Sequence, residues 1–241
     1  MIAENLRRVQ EKIAAAARAE GRDPSEVRLI CVTKGIPVHR IREAVAAGVR
    51  EIGENRVQEA REKQVLLFLP ELRWHLIGHL QRNKAKLAAQ LFDVIHSADS
   101  LDLVEELGKQ ATLRQAQGDR PSQRERPLET LIQVNVSGEA TKEGCRPEEA
   151  AKLVEAVLKA RNLQWNGLMT MAPASEDPEA ARPVFRKLRE LRGQLERQFK
   201  GCFTPRNLDL SMGMSGDFEA AVREGATMIR IGTAIFGERA R

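Results

Sequence analysis

A regular alternation constrains this chain more than any single motif. Eight short apolar runs recur along its 241 residues, each separated from the next by a segment of helical periodicity. The runs cover 27–33, 51–53, 74–78, 94–97, 130–136, 165–169, 208–212 and 228–231. Between them lie helical patterns at 38–47, 54–67, 83–90, 101–112, 147–159, 178–198 and 218–224. Runs of this length with apolar residues on both faces read as parallel strands buried between helices. Eight such strands within roughly 250 residues predict an α/β fold, a single (β/α)8 TIM-type barrel. Residues 1–19 add an extra N-terminal helix, with Leu6, Val9, Ile13 and Ala16 on one face. A doubly wound open sheet is the alternative. No GxGxxG follows the first run, so a dinucleotide site has no support.

No internal repeat or linker interrupts the rhythm, so 1–241 reads as one domain. The exception is 115–129, QAQGDRPSQRERPLE, which is polar and carries Gly118, Pro121 and Pro127. It reads as an exposed loop insertion before the fifth strand.

Composition excludes several classes. No apolar run approaches the roughly 20 residues of a membrane-spanning helix, and the charged, Ala-rich start does not resemble a secretory signal. Cys31, Cys145 and Cys202 are far apart, without metal-ligand spacing or a disulfide framework, which predicts a cytoplasmic protein. The net charge of +5 permits a nucleic-acid or phosphorylated ligand. Basic residues, however, interleave with acidic ones along the helices, and aromatics make up 4%, too few for a base-stacking platform.

In a barrel of this kind the site lies at the carboxyl ends of the strands. Polar and small residues gather there, beginning with Lys34, which follows the first apolar run and precedes Gly35 and Pro37. A lysine fixed at a strand end, its amine in a cleft, loses hydration. The charged form is then disfavoured, and a neutral amine can attack an aldehyde to form a Schiff base. The plainer reading is a lysine that snorkels to solvent. Ser211 to Asp217 follows the seventh run and precedes a helix, where hydroxyls and free amides suit an anion. Simple N-capping is the competing reading for Ser215 and Asp217. Gly232 and Thr233 form a second small turn after the eighth run. Turns after the last two strands are the usual phosphate site of this barrel. Arg230 sits inside an apolar strand, its neighbours Ile229 and Ile231 facing outward, so its guanidinium shares the inner face with the pocket. An amine on one side and a phosphate site on the other select a ligand with an aldehyde at one end and a phosphate at the other. Pyridoxal 5′-phosphate is the commonest such cofactor; a Schiff-base aldolase acting on a sugar phosphate is the competing match.

These segments carry a family resemblance. VTKG (32–35), GENRVQE (53–59), WHLIGHLQRNK (74–84), QVN (133–135), GLMTM (167–171), SMGMSGDFEAAV (211–222) and RIGTAIFG (230–237) stand in the order found in the pyridoxal phosphate homeostasis proteins. The chain resembles that family, which is related to the N-terminal barrel of alanine racemase. The resemblance implies that Lys34 forms the internal aldimine with pyridoxal phosphate. It implies that Ser211 or Ser215, with Gly232 and Thr233, cradles the phosphate, and that Arg230 lies beside the pyridine nitrogen. Asn55, His79 and Met212 match positions near the cofactor. Lys142 matches a second lysine implicated in cofactor handling in some members; an exposed loop lysine is the competing reading.

An arginine beside the pyridine nitrogen keeps that nitrogen unprotonated, since adjacent positive charges repel. The ring is then a poor electron sink, which leaves racemisation or plain binding. Racemisation by two bases needs a group on each face of the cofactor. Alanine racemase uses a tyrosine and a second β domain. This chain has no tyrosine, and its last strand runs close to the final residue. The expectation is therefore a monomeric protein that buffers pyridoxal phosphate or delivers it to apo-enzymes, with no catalytic residue assigned. A racemase of low activity is the alternative.

Overall fold

The strands form because Ile, Val, Leu and Met fill positions buried on both faces, a composition that suits parallel pairing between helices. In the computed structural model, which describes residues 1–117, 126–139, 142–203 and 208–238, they close into one barrel. The strands are β1 (Arg28–Val32), β2 (Glu51–Glu54), β3 (Arg73–Leu76), β4 (Val94–Ala98), β5 (Leu128–Gln133), β6 (Leu163–Met169), β7 (Asp209–Ser211) and β8 (Met228–Ile231). All neighbours are parallel and in chain order, and β8 closes on β1 with Ile30 opposite Arg230. The helices are α1 (Ile2–Ala19), α2 (Val38–Ala46), α3 (Val57–Leu67), α4 (Ala85–Leu91), α5 (Leu101–Gln117), α6 (Ala150–Lys159), α7 (Arg182–Gln198), α8 (Phe218–Arg223) and α9 (Thr233–Phe236). The predicted barrel and extra N-terminal helix are both present.

Alternation along the strands separates two cores. Ile229 and Ile231 point outward and pack with the helices in the large core, whereas Met228 joins Ile30, Val94, Leu131 and Met169 in a small apolar plug inside the barrel. The interior is not wholly apolar. His75, His96, Ser211 and Arg230 are buried on the same inner face. At the amino-terminal mouth, Arg28 pairs with Asp209 at 2.5 Å and Arg73 with Glu129.

Two boundaries differ from expectation. β1 ends at Val32, so Lys34 lies in a turn beyond the strand. The Ile36 amide donates to the Thr33 carbonyl at 2.9 Å, and Gly35 takes φ of +68°, the requirement of a type II turn. The predicted loop at 115–129 is shorter than expected: α5 runs through Gln117, and Leu128 and Glu129 already pair with β6. Of the remainder, 118–125 lies outside the described residues. Beyond Gln133 the Val134 amide still donates to the Met169 carbonyl of β6 at 2.9 Å, while the Cys145 segment pairs along the other edge. The Cys145 amide donates to the Gln133 carbonyl, and the Asn135 amide to that of Cys145, both at 2.9 Å.

α1 packs on α8 and α9, burying Ile2, Leu6, Val9 and Ile13. The Asn5 side-chain amide donates to the Ile235 carbonyl at 2.9 Å. The helix thus braces the segments that carry the last two turns of the barrel. Leu6→Ala should cost about 2–5 kcal/mol of folding stability, the usual range for a leucine truncated in a core; urea denaturation monitored by circular dichroism measures it.

Candidate functional site

The carboxyl ends of the strands enclose a cleft of about 270 Å³. Lys34, Asn55, Ser215, Arg230, Gly232 and Thr233 line it together, as do the apolar side chains of Ile36, Ile77, Met171, Met214 and Phe236. The two small turns read from the sequence, at 211–217 and 232–233, meet here through Met214, Ser215, Gly216, Gly232 and Thr233. The Ser215 hydroxyl accepts a bond from the Ala234 amide at 3.4 Å, which ties one turn to the other. Gly232 lies against β1, where a Cβ would come within 3.3 Å of the Val32 carbonyl oxygen.

Lys34 is held from beneath by a buried ion cluster. Lys63 of α3 donates to the Thr33 carbonyl at 2.6 Å, to Glu54 at 2.7 Å and to Glu59 at 2.6 Å. Glu59 in turn accepts from the Gly35 amide at 2.6 Å, and Glu54 from the Thr33 hydroxyl at 2.5 Å. Both neighbours of Lys34 are therefore fixed by one cluster. Burial pushes the Glu54 carboxyl up despite Lys63. At the more exposed Glu59 burial acts the same way, but the Lys63 hydrogen bond and the Gly35 amide outweigh it and bring the carboxyl down.

Asn55 sits where β2 and β3 deliver their ends close together. A Cβ on Gly78 would lie 2.5 Å from the Asn55 carbonyl oxygen, so the approach requires glycine. The Asn55 side-chain oxygen is buried and has no hydrogen-bond partner among the described residues. A polar atom left without a partner at the wall of a cleft suits a ligand that supplies one.

Arg230 is buried, and its guanidinium donates to the Ser211 hydroxyl at 2.7 Å and to the Thr170 carbonyl at 2.9 Å. Burial lowers its pKa to about 10, which still leaves it a cation at neutral pH. Behind Ser211 a polar column continues through the barrel. The Ser211 hydroxyl meets His96 Nδ1 at 2.8 Å, His96 Nε2 meets His75 Nδ1 at 2.9 Å, and His75 Nε2 meets the Glu51 carboxylate. Burial and the surrounding positive charge hold His96 well below the ordinary histidine range. At Glu51 burial opposes ionisation, but the His75 hydrogen bond, with Arg73 and Arg28 nearby, prevails and holds the carboxyl at about 2.

Three expected residues lie elsewhere. Ser211 is beneath the cleft, behind Arg230. Met212, the next residue, points outward by alternation and is buried in the core against the helices. His79 stands on the exposed rim, its Nδ1 3.7 Å from Asp99 and 3.8 Å from Glu143. Lys142 is also off the lining; its carbonyl accepts from the Asn135 side chain at 3.2 Å. The sequence reading missed Lys63, which with Glu59 looks like an ordinary i,i+4 surface pair. It also missed His75 and His96, although the signal that exposed Arg230, a polar residue inside an apolar strand, was present at both.

The family model described as "Alanine racemase, N-terminal domain" matches residues 2–240. A curated relative from Pseudomonas aeruginosa, named "Pyridoxal phosphate homeostasis protein", is 45% identical over 238 residues, 99% of this chain and 96% of its own. The chain belongs to this family. A relative of the same name from Aquifex aeolicus is 43% identical over 98% of this chain and 97% of its own. Among solved structures, PipY of Synechococcus elongatus with PLP bound is 37% identical, with a TM-score of 0.78 over 98% of this chain and 100% of that one.

Two outcomes follow for the site's foundations. Lys63→Met leaves Glu54 buried without its cation and should cost about 3–5 kcal/mol in urea unfolding, the usual result of breaking a buried pair from one side. Glu51 has a folded-state pKa below its ordinary value of 4.5. Its contribution to stability is therefore complete above pH 4.5 and is lost as the pH falls toward 2. Glu51→Gln should flatten that part of the acid-denaturation curve.

Proposed function

We propose that the cleft binds pyridoxal 5′-phosphate and that the protein buffers this cofactor or delivers it to apo-enzymes that depend on it. The observation that carries this reading is the convergence on one cleft of Lys34, on a braced turn, with the small hydroxyl-bearing turns at Ser215–Gly216 and Gly232–Thr233. The printed name of the relatives and the PLP in the Synechococcus structure support it. When bound, the cofactor supplies an aldehyde that condenses with an amine and a conjugated ring that can accept electrons.

In this reading the Lys34 amine takes the aldehyde end. Ser215, Gly232 and Thr233 take the phosphate, and Arg230 faces the pyridine nitrogen. The Asn55 side chain meets a remaining polar group of the ring. Ile36, Ile77, Met171 and Phe236 keep water from the bound ring. Lys34 is the one amine among the described lining residues that can take or give a proton; no histidine, carboxylate, cysteine or tyrosine accompanies it. Two-base racemisation needs a second such group, and so does the acid–base step of an aldolase. Holding and releasing the cofactor needs neither. The proposed form is a monomer, because the amine of Lys34 and both small turns come from one chain. Burial raises the thiols of Cys31 and Cys145 to about 12, which keeps them protonated.

The test is the visible spectrum of the protein mixed with pyridoxal phosphate, before and after borohydride. The wild type should show a band that borohydride abolishes, and Lys34→Ala should show none. The loaded wild type should restore activity to an apo pyridoxal phosphate enzyme. An unchanged band in Lys34→Ala would remove Lys34 from the site, and steady conversion of L- to D-amino acids would move the racemase forward.

A further inference from the structure

The column behind Arg230 spans the barrel. It begins at the cleft with a guanidinium and ends with the Glu51 carboxylate beside a second cavity, of about 480 Å³, at the amino-terminal mouth, among Arg28, Arg73, Glu129 and Asp209. Its links are Arg230 to Ser211 at 2.7 Å, Ser211 to His96 at 2.8 Å, His96 to His75 at 2.9 Å, and His75 to Glu51. Cleft binding uses none of the inner members directly.

The ends dictate the direction of every bond. A guanidinium can only donate, so the Ser211 oxygen accepts from Arg230. An ionised carboxylate can only accept, so His75 Nε2 carries a proton and gives it to Glu51. The Ser211 hydroxyl must then place its own proton, and His96 Nδ1 is the acceptor within reach. That leaves His96 with its proton on Nε2, donated to His75 Nδ1. The reverse arrangement, with His75 donating to His96 and His96 to Ser211, would give Ser211 two donors and leave its own proton without an acceptor among the described partners. Such a loss is costly in an interior where His75, His96 and Ser211 are all fully buried.

We infer that Ser211, His96 and His75 are positioning residues that couple Arg230 to Glu51, so that a carboxylate at the far mouth of the barrel sets the orientation of the guanidinium facing the cofactor ring. All four donors point the same way, from Arg230 toward Glu51. Their aligned dipoles offset the cost of burying the cation and stop the guanidinium from turning away from the cleft. The role in cofactor electronics rests on the cofactor reading above; the proton arrangement does not.

Histidine 15N shifts of the full chain without cofactor test the arrangement directly. Both His75 and His96 should carry their proton on Nε2 alone. A proton on Nδ1 of either ring would overturn the inference. For the loaded protein the main variant is Glu51→Gln, which keeps the shape of a partly exposed residue and so tolerates substitution better than a truncated buried histidine. Ser211→Ala is the second variant. Each should move the absorption maximum of the bound cofactor and weaken its retention on the order of tenfold, the worth of one hydrogen bond to a charged group. A purely structural role would lower the melting temperature without moving the spectrum. If both folded variants keep the wild-type spectrum and affinity, the coupling is refuted. If wild type itself forms no borohydride-sensitive band, the cofactor reading fails, and the 15N shifts still decide the column.

Discussion

A buried cation on the inner wall of the barrel, at the floor of the cleft, sets the terms for this molecule. Arg230 stands on the inner face of β8, where an unpartnered guanidinium would be prohibitive. Its burial is tolerated because β7 offers the Ser211 hydroxyl and the residue after β6 offers the Thr170 carbonyl. Ser211 in turn requires His96, His96 requires His75, and His75 requires Glu51. One charge at the cleft therefore specifies polar residues on β2, β3, β4 and β7, in a barrel that also holds the apolar cluster of Ile30, Val94, Leu131, Met169 and Met228. Buried polar networks are stable only when every member is satisfied, and here the two ionised ends make that possible.

The opposite wall of the cleft follows the same logic with charges of both signs. Lys63 gathers Glu54, Glu59 and the Thr33 carbonyl, and Glu59 gathers the Gly35 amide. The turn between them presents Lys34 without relying on Lys34's own contacts. A reactive amine benefits from such a base, since its position is then independent of whether it is free or engaged. The cleft is thus built from two rigid halves, a braced turn after β1 and a guanidinium braced from β7, with the small turns after β7 and β8 closing the far end.

Much of this was legible in the chain. The barrel was, because eight apolar runs separated by helical segments leave few other parallel arrangements. Lys34, Ser215, Gly232 and Thr233 were, because barrels place their sites at strand ends and polar and small residues gather there. Arg230 was, because a charge inside an apolar strand needs a reason. Ser211 and Met212 were legible as a pair next to the site, but their division of labour was not. Alternation turns one inward and the next outward, and only the exact end of β7 decides which. His79 belongs to a stretch that matches strongly in sequence, yet the loop after β3 carries it to the rim.

The sequence by itself determined the architecture and the kind of chemistry, because strand periodicity and residue type are local properties that do not depend on what the segment later touches. It could not reveal that Lys63, nine residues beyond Glu54 on an ordinary-looking helix, would be buried under the Lys34 turn. Nor could it reveal that Glu51, His75, His96, Ser211 and Arg230, spread over 180 residues, would form one hydrogen-bonded line. Those relations exist only once closure of the barrel sets the stagger between strands. Hydrogen bonds are made over about 3 Å, a distance that sequence separation does not encode and tertiary packing alone decides.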